Sequence, residues 1–299
     1  MLLRKLTFRC SERVYKEECP RDQYPLRAIK YFWQFRRHKS YYLLCSSAYT
    51  AGDYARTRTF LGRAYKWGYF PATYDYDLEA LMSGKESRTI TWAARMIDWK
   101  HPELALEMAR RLRADGIEFT LQMIGFGELA DTLREQIAAA GLADAVKLLG
   151  AMTPEEVRAH MEKSAVFLMT SDRREGWGAV LNEAQNSACA VLANSAVGAA
   201  PYLIRDGENG FLYNENDIDD MYAKLKILLL DGDKRSAIGR AAYHDIHGHW
   251  NAENAARRFL ALSEHLLGGG DGSSLFADGI CSPAEHYCDG WYSPKGGAQ

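Results

Sequence analysis

Glu175-Gly-Trp-Gly-Ala-Val-Leu-Asn-Glu183 is the stretch on which the reading of this chain turns. A strand-like apolar run, Ala165–Met169, comes just before it. Two glycines follow the first carboxylate, and a helix-forming run, Ala179-Val-Leu181, leads to the second. The order reads strand, glycine-rich turn, helix start. Such a helix start offers unpaired N–H groups and the positive end of a dipole, which suits a phosphate. At 1.5 Å per residue the two carboxylates stand roughly 12 Å apart. That is about the length from the sugar of a nucleotide-sugar, across its diphosphate, to its ribose. Glu175 is therefore expected to hold sugar hydroxyls, and Glu183 ribose hydroxyls.

From residue 88 onward short apolar runs alternate with amphipathic ones. Strands are expected at 89–94, 119–124, 146–149, 165–169, 190–193 and 210–213. Helices are expected at 102–112, 128–140 and 154–163, with two or three more between 218 and 267. Thr153 with Glu156 reads as a capping box, and Pro154 fits the first helical position. Repeated strand–helix units of this kind mean a parallel sheet with helices on both faces. Ligands of such sheets bind beyond the carboxyl ends of the strands.

Several chemistry-bearing residues fall at those ends. Arg95 and Lys100 follow the first strand, in Trp92-Ala-Ala-Arg-Met-Ile-Asp-Trp-Lys-His-Pro102, and can neutralise a diphosphate. Ile124-Gly-Phe-Gly-Glu128 ends the second, where Gly125 and Gly127 permit close backbone approach or simply a tight turn. Leu148-Leu-Gly-Ala-Met152 ends the third. Asn194–Pro201, with Gly198, is a small-residue loop, and Arg205–Phe211 reads as a structural turn. His244, His247 and His249 with Asp245 do not share one helix face, so a helix end is expected there rather than a metal site.

Bulk properties narrow the class. The 299 residues are 47% hydrophobic and 25% charged, with net charge −2. No global basic field points to nucleic acid. Six cysteines at irregular spacing, without a CxxC pair, read as free thiols rather than zinc ligands or disulfides. The start lacks the apolar core of a signal peptide, and no run is long enough to span a bilayer, so a cytoplasmic setting is expected.

Residues 1–87 differ. They are rich in Tyr, Phe, Trp and Arg, and only Tyr41–Ser46 reads as a buried strand. Tyr24–Arg37 reads as a helix within a basic, aromatic stretch, 21–39, which packs on its own domain or lies on an anionic membrane face. Gly268–Ser274 reads as a flexible linker. The tail 275–299 reads as extended or disordered, with Phe276, Trp291 and Tyr292 able to dock on a surface.

The Glu175–Glu183 segment resembles the E-x7-E motif of retaining glycosyltransferase family 4, which has the GT-B fold. Arg95 and Lys100 resemble its Gly-Arg…Lys-Gly pattern, with Ala94 and His101 in place of the glycines. The turn at Gly125 and Gly127 and the loop with Gly198 resemble family segments too. The likeness spans about 88–267. Lys5–Lys16, Lys66–Pro71, Trp99–Pro102 and Gly279–Glu285 also look like a bacterial subgroup linked to surface-polysaccharide assembly. The resemblance implies an α/β, Rossmann-like doubly wound donor domain at 88–267, a partial acceptor-side domain at 1–87 and a tail at 268–299. It implies Glu175, Arg95 and Lys100 as catalytic residues. It implies donor contacts from Glu183, Gly176, Trp177, Gly178, Ala179, Gly125, Gly127, Ala151 and Met152. No metal or other cofactor is implied. The partners would be a nucleotide-sugar donor and a saccharide or lipid-linked acceptor. Glu12, in Ser11-Glu12-Arg13, would lie near the reacting sugar. The first strands of an N-terminal Rossmann domain are not found, so the chain reads as truncated, with weak or absent transfer. A nucleotide-sugar-binding remnant and, less favoured by the Glu and Arg/Lys pairs, a nucleotide-sugar epimerase are the alternatives.

Overall fold

The computed structural model describes residues 5–17, 23–215 and 217–293. Two parallel sheets form the chain. The larger takes in β4 (Glu86–Ala93), β5 (Thr120–Ile124), β6 (Val146–Gly150), β7 (Ser164–Met169), β8 (Ala190–Asn194) and β9 (Phe211–Tyr213). Its strand order is β6-β5-β4-β7-β8-β9. The direction of winding thus reverses between β4 and β7, where Ile90 pairs with Val166. The reversal opens a crevice at the carboxyl ends of these two strands.

Local chemistry explains the helices. Pro102 opens α4 (Pro102–Ala114). On α6 (Pro154–Lys163) the Thr153 hydroxyl accepts from the Glu156 amide while the Glu156 carboxylate accepts from the Thr153 amide. Asp217, Asp231 and Asn251 cap α9 (Ile218–Leu230), α10 (Gly232–Gly248) and α11 (Ala252–Leu267), each side chain accepting from the amide three residues on. Helix α5 (Ala130–Ala139) joins α4 and α9 over one face of the sheet, burying Leu106, Leu112, Leu133, Leu225 and Leu228. The other face packs α7 (Val180–Asn186), α8 (Ala200–Leu203) and α11 around Leu181, Leu203 and Leu262.

The first 87 residues hold more order than the sequence reading anticipates. Strands β1 (Thr7–Ser11), β2 (Tyr41–Cys45) and β3 (Ala64–Lys66) form a second parallel sheet, with α1 (Tyr24–Tyr31) and α2 (Thr50–Ala55) between them. A short α3 (Leu78–Ser83), capped by Asp77, leads to β4. Strand β1 escapes detection because Arg9 and Cys10 are exposed, and β3 because it is three residues long.

The tail is also a correction. Residues 268–274 are not a loose linker: Gly270 donates to the His265 carbonyl, and Asp271 caps a tight turn at Gly272–Ser274. Residues 275–293 then return to β3, which gains an antiparallel neighbour. The Cys281 amide donates to the Lys66 carbonyl (2.8 Å), Lys66 to Ser282 (2.8 Å) and Ala284 to Ala64 (3.0 Å). Pro283 lies at this outer edge, where a missing N–H costs nothing. Further on, Asp289 bridges Arg13, just after β1, and Arg173, in the loop after β7, each at 3.0 Å. Trp291 donates to the Tyr49 hydroxyl (2.8 Å) and Tyr292 to Asp206 (2.7 Å). The expected docking of Phe276, Trp291 and Tyr292 is met: all three pack against the second core.

Candidate active site

The crevice begins where β4 and β7 end. Trp92 donates its indole N–H to Thr170 (2.7 Å), and Thr170 donates to the Lys100 carbonyl (2.6 Å). These bonds fix the loop that follows β4 against the loop that follows β7. Lys100 consequently meets Glu175 in a short ion pair, both side chains nearly buried. The ammonium also sits 4.2 Å from the Trp99 ring, and the Arg95 guanidinium 5.7 Å from the same ring. Arg95 itself is exposed.

A cavity of about 320 Å³ lies at the ends of β4, β5 and β6, and neither Lys100 nor Glu175 lines it. Arg95, Gly125, Ala151, Met152 and Glu183 all line it, together with the exposed Phe126. Four expected donor-binding residues and the expected catalytic Arg95, from four separate segments, thus converge, at a volume within the usual ligand range. The Glu183 carboxyl is pushed up by burial, only partly offset by Arg158. Gly125 holds φ at +134°, and a Cβ there would collide with the Ala94 carbonyl. Gly127 likewise presses on Met96. The glycines are needed to pass the β5 turn over the β4 loop.

Gly127, Gly176, Gly178 and Ala179 do not line this cavity. A Cβ at Gly176 would strike the Glu12 carboxylate, so Glu12 does reach the Glu175 loop from the first sheet. Glu12 accepts from Lys16 (2.8 Å) and Tyr69 (2.6 Å). Burial raises its pKa, but those two bonds outweigh burial and hold it low. The Gly198 amide donates to the Glu175 carbonyl, and the Gly198 carbonyl accepts from Ala48. Ala179 sits one residue ahead of α7, which is only seven residues long. Its dipole is correspondingly small.

Trp177 is not where the sequence reading placed it. Its ring is 1% exposed, lies against Gly68, stacks on Trp250 at 5.7 Å and donates to Asn182 (2.9 Å). The side chain is part of the core between the sheets and offers no face to a donor. Likewise His247 and His249 are used locally, His247 against Tyr74 and Asp75 and His249 against Asp245. The five described cysteines are unpaired, and Cys19 and Arg21 lie outside the described residues.

One network was missed. Asp172, at the end of β7, accepts from its own loop's Arg174 (2.8 Å) and meets His101 Nε2 (3.3 Å). Arg174 also reaches Asp98 (2.8 Å). The signal was the charged run Asp172-Arg-Arg174 directly after a buried strand. Burial raises the Asp172 pKa, yet His101 and Arg174 hold it well below the usual carboxylate range. Hydrogen bonds to Asp172 and then Glu103 lift His101 from 6.5 to about 9. Because the folded value is the higher one, His101 stabilises fully below pH 6.5 and loses that contribution as pH rises toward 9. We expect stability to fall by roughly 1–2 kcal/mol between neutral and alkaline pH, allowing for partial exposure. His101→Gln should flatten that part of a urea-denaturation pH profile; an unchanged slope would remove the network from the stability account.

Comparison with known proteins decides the lineage. The family described as "Glycosyl transferases group 1" matches residues 77–245, more than half of the chain. The chain belongs to that family. Among curated relatives, the chain is 28% identical over 192 residues to a GDP-mannose-dependent alpha-(1-6)-phosphatidylinositol monomannoside mannosyltransferase of Mycobacterium tuberculosis, covering 61% of this chain and 48% of the relative. It is 27% identical to a putative colanic acid biosynthesis glycosyltransferase of Salmonella typhimurium, with 58% and 44% covered. It is 29% identical to an amylovoran biosynthesis glycosyltransferase of Erwinia amylovora, again with 58% and 44% covered. The chain spans about half the length of these relatives. Among solved structures, Anabaena HepE in complex with UDP superposes with TM-score 0.68 at 17% identity, covering 87% of this chain and 73% of that one. The expected α/β architecture of the GT-B class is therefore met.

Proposed function

We propose that this glycosyltransferase moves a sugar from a nucleotide-sugar to an acceptor hydroxyl with retention of configuration. It would act on a saccharide or lipid-linked acceptor in surface-polysaccharide assembly, at the cytoplasmic membrane face. The observation that carries the reading is the cavity at the strand ends that Arg95 and Glu183 both line, supported by the ion pair of Lys100 with Glu175 in the loops after β4 and β7. Lys100 and Arg95 would stabilise the diphosphate as it leaves, and preorganised cations act best in such a half-buried setting. Glu183 would accept from the ribose, and Glu175 from the sugar. Curated relatives named for colanic acid and amylovoran biosynthesis support the polysaccharide assignment.

Binding is expected without metal, since the two cations can supply the charge. Calorimetry in EDTA against UDP, GDP and ADP should give a dissociation constant below millimolar for one of them. No binding to any would sink the reading. Proton NMR of the product formed with the corresponding sugar donor then tests retention. A donor-binding chain without turnover is the second reading, favoured by the three strands of the described first sheet. Binding with donor hydrolysis or transfer below background would select it.

A further inference from the structure

The outer face of the first sheet carries a surface that the crevice does not use. Helix α1 buries none of its own residues. The helix continues as a wider turn, Phe32–Arg36, and only Phe35 of that turn is buried. Phe35 and Tyr31 face inward and meet Tyr54. The other large side chains face out: Leu26 is 72% exposed, Ile29 58%, Phe32 41% and Trp33 59%. They form one apolar ridge, and Leu61 (51% exposed) stands on the adjoining loop, which Arg63 ties to the His38 carbonyl at 2.6 Å.

Cations flank this ridge. Lys30, Arg36, Arg37 and Lys39 are exposed on the same segment, and Arg58 on the neighbouring loop. No acidic residue occurs from 23 to 52. The first one met, Asp53, is buried and accepts from the Val14 and Tyr15 amides, so it does not oppose them. The chain as a whole is at −2, so this positive face reflects a separation of charge within the molecule. An exposed aromatic and aliphatic ridge bordered by lysines and arginines matches the interface of an anionic bilayer: apolar tips enter the acyl boundary and cations meet the headgroups. Among the described residues no helix is long and apolar enough to cross a membrane.

We propose that Leu26–Lys39 is a docking surface for an anionic phospholipid bilayer. It rests on the reading above only for what the bilayer would present, a lipid-linked acceptor. Its observations are independent of the crevice.

The test is co-sedimentation of the whole chain with vesicles of phosphatidylcholine, alone or with roughly one third phosphatidylglycerol. Binding is expected only with the anionic lipid, and weakened at about 0.5 M salt, where screening is short-ranged. The double variant Lys30→Glu/Arg37→Glu should bind at least tenfold more weakly, since each cation near such a surface contributes about fivefold. Leu26→Ser/Trp33→Ser should lose binding as well. Trp33→Phe should still bind but lose most of the fluorescence quenching produced by brominated lipid. Nucleoside diphosphate affinity should stay unchanged in all three variants. That control shows that they fold, and it separates failure here from failure of the transferase reading. Equal binding to neutral and anionic vesicles, or unaltered binding by the two double variants, overturns the proposal. So does self-association of the free chain that Leu26→Ser/Trp33→Ser abolishes, which would assign the ridge to a second copy.

Discussion

Glu183→Ala is expected to bind the free nucleoside diphosphate at least tenfold more weakly, whereas Glu175→Ala binds it more tightly. Glu183 lines the cavity, and in the proposed donor pose it accepts from the ribose. Losing a charge-assisted hydrogen bond costs roughly 1.5–3 kcal/mol, a factor of ten or more. Glu175 is in the opposite position. Its carboxylate holds Lys100, the cation proposed to meet the diphosphate. Removing it leaves a nearly buried ammonium without its counter-ion, which an incoming diphosphate would restore. A gain of roughly threefold to tenfold is expected for the free diphosphate, with a loss for the intact nucleotide-sugar, whose sugar hydroxyls lose their acceptor. Calorimetry on both variants with both ligands checks this. Losses of the same sign for both variants on the free diphosphate would contradict the division of roles.

The second large effect concerns Trp177. Trp177→Ala should destabilise the fold by about 3–5 kcal/mol, the usual cost of removing a buried aromatic side chain. The ring fills the space between Gly68 and Trp250, and Asn182 would lose its indole partner. Trp177→Phe should recover much of the stability and leave diphosphate affinity within about twofold, because the ring does not face the cavity. Urea denaturation and calorimetry report the two quantities separately. A strong loss of affinity in the stable Trp177→Phe variant would return the ring to the donor site.

The contrast between these residues shows what could be read from the sequence. Strands of a parallel sheet covered on both faces are continuous apolar runs, so Ala165–Met169 was plain; all of β7 is in fact buried. The Thr153–Glu156 cap is local chemistry and needs no tertiary knowledge. Arg95 and Gly125 are legible as strand ends, Ala151 and Met152 through the family resemblance and Glu183 through the two-carboxylate motif, and all five line one cavity. Trp177 could not be settled that way. An aromatic between two glycines suits either a ligand or a core, and its direction depends on Gly68, more than a hundred residues earlier. The first sheet was largely illegible for a similar reason. Its outer partner at Cys281–Ala284 has no periodic pattern, and its order comes from backbone bonds to Ala64 and Lys66.

That last pairing bears on how the molecule is made. The edge of β3 is completed by residues at the far end of the chain. During synthesis β3 emerges early, and its free N–H and C=O groups remain open until the whole larger sheet and three helices have followed. An open edge is a template for wrong pairing, and closing so distant a contact is slow. The donor half can fold on local information as it leaves the ribosome. The edge of β3 is sealed only after Ala284 has emerged, so the nascent chain passes through a stage with a folded larger sheet and an unsealed strand.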